Sequence, residues 1–252
     1  MNVERIKDHV RGIAQISKQE RYDAVTGFLD ELGIGYRVQK LHCPEALGNI
    51  IVEFNAGETP KIVAGAHYDN YREITPGAND NAAACAILLE LIEELRDTKK
   101  HIEFVFFDME ECGLIGSQQY YDENRGKIDC CLNFDMCGSG DRIACSATKF
   151  NPDGFHGVVK SSRCEVFDGL PQGDAYTFID EKIPTLYIIS SSERDLGWYR
   201  QCRCVNGKVV GGPPILPDFW RTMHQPGDTP DKINYENVAR IAEFAKDVLA
   251  LI

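Results

Sequence analysis

Lys61-Ile62-Val63-Ala64-Gly65-Ala66-His67 opens the stretch whose reading decides the fold. Its short apolar run reads as a strand over residues 61–66. A helical pattern follows over 82–96, a strand over 102–107, a helix over 113–121 and a strand over 128–134. Strand and helix in strict alternation predict an α/β fold, a mostly parallel, mixed β-sheet sandwiched by helices.

Working outward, Val3, Ile6, Val10 and Ile13 fall on one face of a first helix. Ser17-x-x-Glu20 reads as a capping box for a second, with Tyr22, Val25, Phe28, Leu29 and Leu32 apolar and Gly33 as its end. Two short strands are expected over 36–41 and 49–54, weaker ones near 142–145, 165–167 and 185–189, and a closing helix over 235–252. Residues 190–217 read as the longest irregular segment, because Gly211-Gly212-Pro213-Pro214 suits neither helix nor strand, and as part of the rim of a site. With no repeat or linker, residues 1–252 read as one domain, and at 43% hydrophobic they suffice for one core.

A net charge of −12 and a pI near 5.0 argue against nucleic acid or an anionic membrane as partner. Part of that excess is neutralised if carboxylates gather around divalent cations. The start, Met1 to Asp8, lacks the apolar stretch of a signal peptide, and no run reaches the roughly 18 apolar residues of a membrane span. Ten cysteines without an export signal read as reduced thiols, so a cytoplasmic location is expected. Cys85, Cys130 and Cys131 read as small core residues, and Cys202 and Cys204 as loop thiols.

Three apolar runs end at a residue able to bind metal: His67, Glu111 beyond residue 107, and Asp135. Parallel sheets collect ligands at that end of their strands. Asp80, in a Gly- and Asn-rich loop before a helix, and His224, after the irregular segment, complete five candidates. Two imidazoles and three carboxylates suit two zinc-like ions sharing one carboxylate, which together can activate a water and stabilise an oxyanion. Glu110 beside Glu111 is then free to act as a base, and Asp69 can orient the His67 imidazole. The reading is a metal-dependent hydrolase.

From about residue 48 onward the chain resembles the co-catalytic zinc aminopeptidases of the bacterial leucine aminopeptidase type, relatives of glutamate carboxypeptidase II and the glutaminyl cyclases. The segments that carry the likeness are Gly65-Ala66-His67-Tyr68-Asp69, Pro76-Gly77-Ala78-Asn79-Asp80-Asn81-Ala82-Ala83, Phe106 to Ser117, Asn133-Phe134-Asp135-Met136 and His224-Gln225-Pro226-Gly227-Asp228-Thr229. The resemblance implies a zinc-exopeptidase fold with two zinc ions. Asp80 would bridge them, His67 and Asp135 would complete one site, and Glu111 and His224 the other. It also implies Glu110 as general base, Asp69 as support for His67, and a cis bond after Asp80. The expected activity is removal of the amino-terminal residue from short peptides with a free amino terminus.

The chain departs from the family at Gly173-Asp174-Ala175, where Ser-Asp-His is common, and it lacks an upstream tyrosine that supports the oxyanion in some members. It is also short for the lid domain of related deacetylases and carboxypeptidases. Asp174 suits either a helix N-cap or a substrate contact. Trp198, Tyr199, Phe219 and Trp220 suit pocket lining or loop packing, and His9, His42, His101 and His156 read as ordinary. The rival functions are a glutaminyl-peptide cyclotransferase, a carboxypeptidase or deacylase, and a non-catalytic binding domain; assembly state is open.

Overall fold

The computed structural model describes residues 1–57, 60–147, 164–205, 208–212 and 221–252. Helices α1 (Val3–Ile13) and α2 (Lys18–Glu31) precede strands β1 (Arg37–Gln39), β2 (Asn49–Phe54) and β3 (Lys61–His67). Then come α3 (Ala83–Glu94), β4 (Ile102–Phe107), α4 (Ile115–Glu123), β5 (Ile128–Phe134), β6 (Arg142–Ala147) and β7 (Glu165–Phe167). The chain continues through α5 (Ala175–Asp180), β8 (Thr185–Ser191), α6 (Glu193–Tyr199), the hairpin β9 (Cys202–Val205) and β10 (Lys208–Gly211), and α7 (Tyr235–Leu251).

Eight strands form one sheet in the order β1-β2-β4-β3-β5-β8-β6-β7. Its centre, β4-β3-β5-β8, is parallel, and antiparallel pairs join β1 to β2, β2 to β4 and β6 to β8. Every residue of β3, β4 and β8 is buried, as expected of strands covered on both faces. Alternation along β4 assigns the two faces. Phe104 and Phe106 join the core with α1, α3 and α7, whereas Val105 and Phe107 meet Tyr120 of α4 and Phe178 of α5. Helix α3 is buried from Ala83 to Ile92, which is why its sequence is almost wholly apolar. Cys85, Cys130 and Cys131 lie fully buried in these layers, the small core residues expected.

Two local expectations fail. Ser17 stands at the N-cap of α2 but makes no side-chain cap; instead the Lys18 amide donates to the Glu73 carboxylate at 2.7 Å. An acceptor brought in from 55 residues away satisfies one of the free amides of the first turn. The segment 190–217 is not irregular throughout. Its described part ends β8, forms α6 with Ser192 capping the Asp195 amide, and adds the β9-β10 hairpin. Trp198 and Tyr199 pack with Leu170, Ile189 and Leu196, so they hold this segment down. Phe219, Trp220 and His156 lie outside the described residues, as does the side chain of Cys204.

Candidate metal centre

The register of the parallel strands assembles the site. His67 at the end of β3 lies opposite Phe107 at the end of β4, and Gly65 lies opposite Asn133 of β5. The residues that follow, Glu110 and Glu111 after β4 and Asp135 after β5, therefore leave the sheet at one edge, the carboxyl edge where such sheets collect ligands. Asp80 enters from a turn over Ala78–Ala82 ahead of α3, and its peptide bond to Asn81 is cis. His224 comes from the segment ahead of α7 and has a left-handed backbone, φ 59°.

All five candidate ligands converge. His67 Nε2 lies 3.2 Å from Asp80 Oδ1 and 3.6 Å from Asp135 Oδ1. His224 Nε2 lies 3.3 Å from Asp80 Oδ2 and 3.0 Å from Glu111 Oε2. Asp80 thus offers one oxygen to each imidazole. The sets His67–Asp80–Asp135 and Asp80–Glu111–His224 each keep their ligand atoms within 4.8 Å of one another. Among the described residues Glu111 Oε1 and Asp135 Oδ1 are buried without a hydrogen-bond partner, a costly state for a carboxylate oxygen unless a cation satisfies it. Nitrogen and oxygen donors in this arrangement fit zinc-class divalent ions.

Supporting contacts hold the ligands in place. The Asp69 carboxylate accepts the Glu110 amide on Oδ1 (3.1 Å) and the Glu111 amide on Oδ2 (3.2 Å), and Oδ1 lies 3.4 Å from His67 Nδ1. One side chain so couples the His67 loop to the Glu110–Glu111 turn. Asp228 accepts the amides of Asn79 (2.8 Å) and Asp80 (3.0 Å), while Asn81 bonds across to the Phe134 carbonyl and the Met136 amide. The Tyr187 hydroxyl donates to Asp135 Oδ2 at 3.1 Å. The fully buried Arg21 of α2 donates to the carbonyls of Tyr68 and Pro76, tying the loops that carry His67 and Asp80. Asp228 lies within one of the segments that carry the family resemblance. Tyr187 and Arg21 had no sequence signal, because nothing local announces a contact made so far along the chain.

The sequence model of peptidase family M28 matches residues 49–249. The chain belongs to peptidase family M28. Aminopeptidase YwaD of Bacillus subtilis is 37% identical over 197 residues, covering 73% of this chain and 40% of that protein. The first curated relatives are all much longer, the chain spanning 29 to 41% of their length. Among solved structures, the LapA aminopeptidase of Legionella pneumophila superposes with a TM-score of 0.74 at 17% identity, over all of this chain and 72% of that one. The glutaminyl cyclase of Porphyromonas gingivalis superposes at 0.71 and 19% identity, over 99% and 98%. These likenesses establish the fold.

In this M28 chain the candidate residues Asp80, Glu110, Glu111, Asp135 and His224 line a cavity of about 400 Å³ together with Leu114, Met136, Pro171 and Met223. A larger cavity of about 930 Å³ near β6 is lined by paired surface charges such as Arg142 with Glu193 and Lys246 with Glu94, so size does not mark the reactive site. Burial raises the Glu110 carboxyl well above its ordinary range; His67 opposes this, while Asp174, Asp135 and Glu111 add to it. Burial works against charge on both imidazoles, yet Glu110, Asp135, Asp69 and Asp80 hold His67 well above its usual value. Asp80 and Glu111 likewise hold His224 up at about 10. The pocket concentrates negative charge and draws in positive charge, whether protons or metal ions.

The departure at residues 173–175 has a partial explanation. A Cβ on Gly173 would stand 2.7 Å from Asp135 Oδ2 and 2.9 Å from the Tyr187 hydroxyl, so that hydroxyl fills the space a side chain at 173 would need. Asp174 heads α5 without capping it, and its carboxylate is buried with Ser117 as its one hydrogen-bonding influence among the described residues. Burial pushes it up to about 7.

Proposed function

We propose that this chain is a zinc-dependent aminopeptidase that removes the amino-terminal residue of short peptides. His67, Asp80 and Asp135 would hold one ion, and Asp80, Glu111 and His224 a second. The observation that carries the reading is the division of the Asp80 carboxylate, one oxygen toward each imidazole. Zinc, when bound, supplies Lewis acidity, polarising a carbonyl and lowering the pKa of water. Glu110 takes the proton of the attacking water and passes it to the leaving amine. A nearby cation offsets the burial that raises this carboxyl, keeping it ionised and able to accept that proton. Asp69 fixes the His67 ring and, through the amides of Glu110 and Glu111, the turn bearing the base. The carboxylates lining the cavity favour a free substrate ammonium, and its apolar wall favours an apolar side chain.

The cyclase reading has one observation in its favour, the near-complete superposition on a glutaminyl cyclase of similar extent. Peptides with free, acetylated and Gln-initial amino termini, incubated with and without a chelator, separate the two. Chelator-sensitive loss of single residues from free termini supports the aminopeptidase; ammonia release from Gln peptides without chain shortening rejects it. Glu110→Gln should retain zinc and lose at least about 100-fold in turnover, from the contribution of general base catalysis. A variant with near-native rates removes Glu110 from the mechanism. The cytoplasmic setting is proposed from the ten cysteines of the sequence, a content that suits a reducing compartment; no helix among the described residues is long and apolar enough to cross a membrane.

A further inference from the structure

The two imidazoles of the centre are held by different means. His67 is 2% exposed, and its Nδ1 faces both the carbonyl of Asp69 (3.2 Å) and its carboxylate (3.4 Å). His224 is 29% exposed, and among the described residues its contacts with protein oxygen are made by Nε2 alone, to Asp80 and Glu111. Among the described residues no carboxylate or carbonyl bonds its other nitrogen, although metal-binding histidines commonly have such a partner. What it has is an aromatic ring. Tyr71 lies flat against the imidazole, centroids 4.2 Å apart and planes 7° from parallel. The Arg72 guanidinium lies 4.9 Å from the centroid of the same Tyr71 ring.

Tyr71 is itself firmly placed. The Asn70 side chain before it donates to the carbonyls of Ile16 (2.9 Å) and Thr75 (2.7 Å). Glu73 after it accepts the first amide of α2 at 2.7 Å. Anchored on both sides, the Tyr71–Glu73 turn presents a fixed wall to a candidate ligand that the other described residues hold through Nε2 alone.

We infer that Tyr71 is the positioning residue for His224, orienting by ring stacking the imidazole of the second site as Asp69 orients that of the first. The proposal rests on the two-ion reading and makes the sites separable: the Asp80–Glu111–His224 site depends on Tyr71, and the His67–Asp80–Asp135 site does not. Stacking needs the ring and not the hydroxyl, so phenylalanine should serve as well as tyrosine.

The test is zinc titration of the metal-stripped chain against a chromophoric chelator, for the wild type, Tyr71→Ala and Tyr71→Phe. Thermal unfolding of each metal-free protein is recorded alongside, to show that Tyr71→Ala remains folded. Wild type should bind in two steps. In Tyr71→Ala one step should weaken roughly 3- to 10-fold, the worth of an aromatic stacking contact, while the other step stays put. Tyr71→Phe should restore both steps. Unchanged binding by the Ala variant, equal weakening of both steps, or a Phe variant that behaves like Ala overturns the proposal. A wild type that takes up a single ion sinks the two-ion reading by itself; the role of Tyr71 then stands or falls on whether that one affinity drops in Tyr71→Ala.

Discussion

One methyl group at residue 173 should loosen the candidate metal centre without replacing any of its five candidate ligands. The Cβ introduced by Gly173→Ala falls 2.7 Å from Asp135 Oδ2 and 2.9 Å from the Tyr187 hydroxyl, both closer than protein Cβ atoms approach other groups. Tyr187 is fully buried and Asp135 is 5% exposed, so neither can swing into solvent. The hydroxyl and the carboxylate, now 3.1 Å apart, must separate to admit the methyl. A hydrogen bond to a charged group contributes about 1.5–3 kcal/mol. Its loss, with displacement of the ligand oxygen, should weaken zinc binding roughly 10- to 100-fold, equivalent to about 1.4–2.8 kcal/mol. The assay is chelator competition on the wild type, Gly173→Ala, Tyr187→Phe and the double variant. Removing the hydroxyl from the Ala background should cost little more, since the bond is already broken, so the two effects should fall short of adding. Zinc affinity within twofold of wild type in Gly173→Ala, or strict additivity in the double variant, refutes the reasoning.

Two further outcomes follow from groups away from the ligands. Burial lowers His9 to about 4, against the pull of Glu90. The unfolded chain binds a proton near pH 6.5 that the folded chain refuses until about pH 4, so the stability due to neutral His9 is full above 6.5 and lost as the pH falls between these values, by about 3 kcal/mol in all. Urea unfolding at pH 7 and pH 5 should show a smaller acid loss for His9→Gln than for wild type, and parallel losses would clear His9 of the effect. Arg21→Met leaves the Tyr68 and Pro76 carbonyls without their donor in a buried site and should cost about 2–4 kcal/mol, less whatever is regained by removing a buried charge. An unchanged denaturation midpoint would show that Arg21 does not hold these loops.

The sequence by itself determined the layered α/β fold, because burial on both faces of a central strand demands an apolar run such as 62–66 or 104–107, and the helices between such runs carry their own period. It also marked seven candidate residues: His67, Glu111 and Asp135 because a polar residue closing an apolar run stands out against its surroundings, Asp69 and Glu110 as their neighbours, and Asp80 and His224 through the segments that carry the family resemblance. It misread the side-chain cap at the start of α2 and the segment after β8. In the first case the capping acceptor, Glu73, arrives from another part of the chain; in the second, glycines and prolines near residue 212 masked a short helix and a hairpin. Only the tertiary structure decided how the candidate centre is built: that Asp80 turns one oxygen to each imidazole, that Asp69 grips the amides of Glu110 and Glu111, and that Tyr187, Arg21 and Tyr71 stand behind the ligands. The physical reason is range. Periodicity records whether a residue meets core or solvent within its own element, whereas the direction of a carboxylate is set by partners such as amides 41 and 148 residues away, brought within hydrogen-bonding distance only when the sheet closes its register.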